Sequence, residues 1–335
     1  GGASRGTSDT AFTGAIAMYN VFEELLAQGK VETTRLNSLR VKLHVPCQWT
    51  CNFCHMEGNP SSQPIRNDMQ FSGALVRFRD CFGFTEVHFT GGEPSIHPEI
   101  TQFIAKAKSL GFKVKMTTNG QAKHSRYFEC IWSGLDELNM SVHTLDPAEL
   151  GKIMSPPKDA AWGKKAIEKQ VGLIEALNGK VRLKINTCIG ETEQPAIALA
   201  DFVRRRDISW RLMNVLEIPE ISYASLARAC QTLGATPVRA SVIRGSSSCS
   251  IDMRCEDGFA FKLKLIQPHF LEGMCANCEL RAYGGCYEFA YGPRLEMERG
   301  MLMVRNCVHR DGPPFSLPIH AYFSHPIAQQ LGEEL

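Results

Sequence analysis

No stretch of the 335 residues approaches the roughly 20 consecutive apolar residues a helix needs to cross a bilayer, so a membrane-spanning role is not expected. An excess of one charge is missing too. Lys and Arg number 37 against 35 Asp and Glu, a net charge of +2, so no global field calls for a nucleic acid polymer or a membrane surface as partner. There is no internal repeat and no low-complexity tract. The opening run GGASRGTSDT is polar and lacks the apolar core of a secretion signal, which makes a cytoplasmic location the expectation. What remains is ordinary for a globular protein with a sizeable core, at 44% hydrophobic and 21% charged residues.

Cysteine is abundant, at 13 residues. A chain of this length does not need disulfides for stability, so reduced thiols are the working expectation. Cys81, Cys130, Cys188 and Cys230 stand alone and read as small core hydrophobes, while Cys249 and Cys255 read either way. Two groups are left. Cys47, Cys51 and Cys54 form C-x3-C-x2-C in the run CQWTCNFC, and Cys275, Cys278, Cys286 and Cys307 are spaced C-x2-C-x7-C-x20-C.

An amphipathic helix is expected over residues 12–29, ended by glycine. Strands are then expected at 38–45, 85–90, 112–117, 136–142, 180–187 and 208–216. Helices are expected near 70–82, 98–110, 122–133, 160–178 and 194–206. This alternation argues for a parallel α/β sheet, and periodicity leaves an open sheet and a barrel equally available. From about residue 235 the rhythm stops, with the Ser-rich run RGSSSCS, more Gly and Pro, and scattered cysteines. The division expected is an N-terminal helical extension at 1–34, an α/β unit at 35–234, and a smaller C-terminal domain with a tail at 235–335.

The first cysteine group follows the first of these strands, at the end where parallel α/β folds carry their chemistry. A disulfide conflicts with the compartment, and zinc prefers four ligands in paired C-x2-C units. Three thiolates on a short loop suit a [4Fe–4S] cubane, which would leave one iron without a protein ligand. The run FTGGEPSIHP ends the second strand, where Gly91 and Gly92 would let the backbone approach a ligand and Glu93 offers an acceptor. MTTNG ends the third strand and NMSVHT the fourth, so all these runs converge on the cysteine loop.

Together these motifs resemble the radical S-adenosylmethionine (SAM) enzymes. Over residues 35–310 the chain is most similar to the GTP cyclase of molybdenum-cofactor biosynthesis and its relatives, and the run CHMEG is similar to their archaeal-type sequences. The resemblance implies a partial (β/α)6 TIM-type barrel with a small auxiliary iron–sulfur domain. It implies Cys47, Cys51 and Cys54 as cluster ligands, with SAM chelating the open iron. Phe53, Gly91, Gly92, Glu93, Pro94, Thr118, Asn119 and Ser141 would be its cofactor residues. One electron from a flavodoxin- or ferredoxin-type donor would then release a 5′-deoxyadenosyl radical that abstracts a substrate hydrogen. For the second cysteine group a zinc ribbon is the alternative, and the resemblance favours an auxiliary [4Fe–4S] cluster. Cys286 is an extra cysteine whose GGC context is similar to SPASM-type clusters. With all four thiolates bound no auxiliary iron would be open to substrate, and four ligands is the reading taken.

Side chains alternate along a strand, which sends Arg40, Lys42, His44, Glu86, His88, Asn139, Ser141, His143, Arg182, Lys184 and Asn186 toward a barrel lumen, with Lys113 and Lys115 facing either way. Such a lumen suits a polar, anionic small molecule. By resemblance, Arg40 and Lys184 fall where the family contacts its nucleotide, as do Thr117 or Thr118 and Arg281. The family's arginine three residues after GGEP is His97 here, Glu279 stands where a basic residue follows C-x2-C, and the Gly-Gly tail is GEEL. Each lost charge-assisted contact would cost about 1.5–3 kcal/mol, so a sugar, nucleoside or uronate is expected ahead of GTP. The reaction would be a dehydration, decarboxylation or epimerisation in cofactor or antibiotic biosynthesis. His143, where the family has aspartate, would shuttle a proton, or be a satisfied core histidine. A radical SAM peptide maturase and a non-enzymatic iron–sulfur or zinc protein are the rival readings.

Overall fold

The structure is a computed structural model describing residues 20–282, 284, 286 and 290–335. Residues 20–27 are helical, and the earlier part of the helix expected from residue 12 lies outside the described residues. Strand β1 (Val31–Arg35) follows, and then the expected alternation begins. It runs β2 (Ser38–Lys42), α1 (Met69–Phe82), β3 (Glu86–Thr90), α2 (Ile100–Ser109), β4 (Lys113–Thr118), α3 (His124–Trp132) and β5 (Glu137–Ser141). It continues through α4 (Pro147–Lys152), α5 (Ala160–Leu177), β6 (Arg182–Ile189), α6 (Gln194–Arg204), β7 (Ser209–Asn214) and α7 (Pro219–Thr232).

Strands β2 to β7 are neighbours in chain order and all parallel. They form a partial (β/α)6 barrel. Local chemistry sets the helix limits. Asp68 accepts from the N–H groups of Gln70 and Phe71 to start α1, and Gly83 ends it at φ 67, where a side chain would be strained. The outward strand residues Leu39, Val41, Val87, Phe89, Val114, Met116, Leu138 and Met140 are buried beneath Phe71, Leu75, Phe78, Phe103 and Ile104 of the helices. Each contributes on the order of 1.5–3 kcal/mol of burial, leaving the opposite strand face free to be polar.

The segment after residue 234 makes no sheet of its own. β8 (Ala235–Arg244), β9 (Ser248–Cys255) and β10 (Ala260–Ile266) are an antiparallel meander. Its last strand pairs parallel with β7 and its first with β1. Helix α8 (Glu272–Cys275) ends on one of the later cysteines, and Cys278 immediately precedes helix α9 (Glu279–Ala282). A second meander, β11 (Arg294–Glu298), β12 (Met301–Arg305) and β13 (Ser316–Pro318), joins the other edge through a parallel β11–β2 pairing. Helices α10 (Ile319–Tyr322) and α11 (Pro326–Glu334) complete the chain. Meanders have no helices between strands, which is why the sequence rhythm disappears here. Among the described residues no helix is long and apolar enough to cross a membrane.

Candidate active site

The first cysteine loop is fastened at its root, middle and exit. At the root, the Gly92 N–H donates to the His44 carbonyl at 2.7 Å and the Glu93 N–H to Pro46 at 2.9 Å. In the middle, Cys51 bridges Met154, with Asn52 N–H to Ile153 O and Ser155 N–H to Thr50 O both at 2.8 Å. At the exit, Lys42 Nζ donates to the carbonyls of Met56, at 2.6 Å, and Asn59. Lys42 is therefore a strut beneath the loop and is spent there, whereas strand alternation alone offered it to a ligand. Trp49 N–H and Asn119 Nδ2 donate to Cys47 Sγ at 3.4 and 3.5 Å.

All three cysteines border one cavity of about 290 Å³ at the C-terminal end of the barrel. Burial pushes all three thiols up, and Cys54 and Cys47 add to it at Cys51, which is raised to about 12. Such thiols ionise when a metal supplies the compensating charge. Among the described residues no three of His, Cys, Asp or Glu converge on a single ion. An all-sulfur trio that opens on a cavity fits a cubane, whose ligands reach separate irons.

Phe53, Gly91, Gly92, Glu93, Thr118, Asn119 and Ser141 border this cavity, and Pro94 does not. Two of the roles expected of GGEP change. A Cβ on Gly92 would lie 2.0 Å from the Val45 carbonyl, and one on Gly91, at φ 138, 2.6 Å from that of His44. The glycines are thus required by the close passage of the 44–46 backbone rather than by a ligand. Glu93 is no free acceptor. Its Oε1 accepts from Ser95 N–H at 3.0 Å, Ser95 Oγ at 2.5 Å and Thr118 Oγ1 at 2.6 Å, and its Oε2 from Asn119 N–H at 2.6 Å. It ties the end of β3 to that of β4, and Thr118 is committed to it.

His143 stands in the cavity wall, edge-on to Phe53 at 5.0 Å, and its Nδ1 accepts the Cys188 N–H at 3.2 Å. The ring proton therefore sits on Nε2. Burial lowers the imidazole to about 4. At neutral pH this is a hydrogen-bond donor, and the proton-shuttling base expected of it does not fit. His44 is turned away from the lumen, bonding the Glu93 carbonyl at 2.8 Å and packing on His97.

Lys184 does not reach the upper cavity. It lies in a second, lower chamber of about 170 Å³ with Glu137 at 3.0 Å, and its ammonium is lowered to about 8 by burial and Arg211 against the pull of that carboxylate. Lys115 pairs there with Glu86 at 2.5 Å. Lys113 and Arg182 stay at the exposed rim, 3.6 Å from Glu86 and 3.5 Å from Glu137. Arg40 borders both chambers and is bound to Glu57 at 2.7 Å. Glu57 also holds Arg294 at 2.7 Å. Burial pushes the Glu57 carboxyl up, and the two guanidiniums outweigh it, holding it well below the usual range. Arg281 does not border either chamber, being paired with Glu272 at 3.0 Å and laid over Phe270.

The sequence reading missed Arg211, Lys264 and Tyr291, which complete the lumen. Arg211 lies on β7, where alternation along ISWRLMNVL would have found it. Lys264 and Tyr291 belong to the region without rhythm. In the second cysteine group, burial and then the nearby Cys307, Cys286 and Cys278 push Cys275 up to about 11, so the four thiols lie within electrostatic reach. Burial of Cys278 is outweighed by the Arg281 and Leu280 N–H groups and by Arg310, which lower it.

Residues 42–203 match the radical SAM superfamily. The match takes in just under half of the chain, and over those residues the chain is similar to the enzymes of that superfamily. It is 34% identical over 154 residues to a probable GTP 3',8-cyclase of Sulfurisphaera tokodaii, covering 45% of this chain and 46% of that protein. It is 28% identical over 195 residues to a probable GTP 3',8-cyclase of Methanosarcina mazei, covering 56% and 58%. The chain thus spans about half the length of the curated relatives it matches. Among solved structures, Streptococcus suis SuiB bound to its precursor peptide SuiA aligns at TM-score 0.47 and 19% identity, covering 64% of this chain and 49% of that one.

Proposed function

We propose that the protein is a radical SAM enzyme acting on a polar, anionic small molecule of nucleotide, nucleoside or sugar-acid type held in the barrel lumen. One observation carries the reading. Arg211 and Lys264 border the cavity without a carboxylate partner within 4.0 Å among the described residues, and Arg211 Nε, Asn139 Oδ1 and Asn186 Oδ1 are buried with no hydrogen-bond partner there. Buried polar atoms left unpaired are costly, and an anion with hydroxyl or amide groups would satisfy both kinds.

Cys47, Cys51 and Cys54 would hold a [4Fe–4S] cluster, with SAM between Phe53, Gly91, Gly92, Asn119 and Ser141. When bound, the pair supplies a 5′-deoxyadenosyl radical able to abstract hydrogen, given one electron from a flavodoxin- or ferredoxin-type donor. The chain's part is to bind, orient and exclude water. Arg211 and Lys264 would hold the substrate anion, and His143 Nε2–H would donate to it. Cys275, Cys278, Cys286 and Cys307 would hold an auxiliary [4Fe–4S] cluster with no iron open to substrate.

GTP itself is the second reading, favoured over a sugar or uronate by the relatives' names. Against it, a triphosphate brings more negative charge than two cations without a carboxylate partner offset, and His97 lies outside the cavity. Anaerobic reconstitution followed by dithionite-driven SAM cleavage decides. The measure is 5′-deoxyadenosine formed with GTP, GMP, glucuronate or a short peptide. Stimulation by one of the first three is expected, and stimulation by the peptide alone would overturn the reading.

A further inference from the structure

Tyr291 borders both the upper cavity and the lower chamber, in a cage of cations. Lys264 Nζ lies 4.2 Å from its ring centre, the Arg40 guanidinium 4.8 Å and that of Arg294 5.4 Å. Arg40 Nη2 is 3.5 Å from its hydroxyl. Glu57, the carboxylate bound to Arg40 and Arg294, is shared between those two guanidiniums. Among the described residues three imidazoles border the upper cavity, and each is already engaged. His55 Nδ1 accepts the Glu57 N–H at 3.2 Å, His88 is bonded to Thr117 Oγ1 at 2.8 Å and held neutral by burial, Arg40 and Lys115, and His143 Nδ1 accepts from Cys188.

We propose that Tyr291 is the acid–base residue of the lumen: its phenolate takes the proton of a substrate hydroxyl on the carbon from which hydrogen has been removed. This rests on the substrate reading above. A hydroxyl on a carbon bearing an unpaired electron is far more acidic than an ordinary alcohol, so a phenolate is a sufficient base. The O–H bond breaks, its electron pair stays on the substrate oxygen, and an Oη–H bond forms. One negative charge passes from tyrosine to substrate, no electron leaves the pair, and no oxidant is required. The phenol then returns its proton to solvent through the lower chamber, past Lys184–Glu137 and Lys115–Glu86.

Electrostatics support the geometry. Burial opposes ionisation of Tyr291, but Lys264, Arg40 and Arg211 outweigh it and pull the phenol down to about 7. The cage makes the charged form the cheaper one near neutrality.

Two arms test the proposal. In the holoenzyme without substrate, tyrosinate absorbance should show a step of one residue near pH 7 that Tyr291→Phe lacks. A step found only near the ordinary tyrosine value of about 10 overturns the proposal. With carbon-deuterated GTP, GMP or glucuronate, the ratio of product to deuterated 5′-deoxyadenosine should fall about 100-fold in Tyr291→Phe. An unchanged ratio overturns it. Placing 3-fluorotyrosine at 291 should move the acidic limb of product formation to lower pH, which a purely structural role would not do. If the unaltered enzyme takes deuterium from none of these probes, the substrate reading fails, and the absorbance arm still judges Tyr291 by itself.

Discussion

Gly58 stands so close to Val308 that a Cβ on the glycine would lie 2.5 Å from the Val308 Cα. The exit of the first cysteine loop is thereby pressed onto the residue after Cys307. Buried charges reinforce the junction. Glu57 holds Arg294, while Glu296 receives Asn59 Nδ2 at 3.1 Å and Arg305 Nε at 2.6 Å. Met56 and Glu57 adopt φ of 50 and 52, left-handed conformations that cost each about 1 kcal/mol, and the ion pairs hold them there. The two cysteine groups are thus one mechanical unit.

Gly58→Ala should break that unit. The residue is at φ 80 and its neighbour is backbone, so neither strain nor clash can relax cheaply. We expect a loss of about 2–4 kcal/mol and less iron in both cysteine groups. Thermal unfolding and iron per chain would check this. A variant that keeps both at the original level would show that the contact is loose.

Glu93→Gln tests the strut between β3 and β4. The amide would turn an NH2 group against donors from Ser95, Thr118 or Asn119, leaving at least one buried donor unanswered. The expected cost is about 2–4 kcal/mol by urea unfolding, with weaker SAM binding as the TNG turn shifts. Unchanged stability would mean that the carboxylate is already protonated in the fold, a direction in which burial does push it.

The barrel was legible because its physics is local. Alternating Val87, His88 and Phe89 mark a strand with one apolar face, and Asp68 and Gly83 punctuate the helix before it. The site was legible only as residue types at strand ends. What those residues do is decided by neighbours distant in sequence. Glu93 is claimed by Asn119, and Lys42 by the carbonyls of Met56 and Asn59. Lys184 was credited to the reaction chamber, yet it sits too near the N-terminal end of its strand to reach it, and strand periodicity gives a face without a depth. Lys264 was missed because its strand β10 arrives through an antiparallel meander, and Tyr291 because it lies in the coil before β11; the βα rhythm has no signal for either.

Cys286→Ala separates a four-ligand auxiliary cluster from a three-ligand one. Cys286 is close enough to Cys275 to influence its thiol, as are Cys278 and Cys307. Iron should fall from about eight toward four atoms per chain, with the cluster at Cys47, Cys51 and Cys54 retained by electron paramagnetic resonance. Iron unchanged from the parent would exclude Cys286 as a ligand and leave one auxiliary iron open to substrate.

His143 gives the fold a pH dependence of definite sign. Burial lowers its imidazole from 6.5 to about 4, so the folded state resists a proton that the unfolded chain accepts. Its contribution is complete above pH 6.5 and is lost as pH falls from there toward 4, where the folded state begins to protonate as well. At pH 5 the loss relative to pH 7 is about 2 kcal/mol from this residue alone. His97, lowered to about 4 by burial, His44 and Arg126, adds a similar slope and keeps it in any His143 variant. His143→Gln should therefore be destabilised at both pH values by its lost packing, yet show a smaller difference between pH 7 and pH 5 than the parent, by roughly that 2 kcal/mol. Urea unfolding of both proteins at the two pH values measures the difference directly. Equal pH differences in parent and variant would show that His143 carries its proton within the fold, and would restore it as a candidate base.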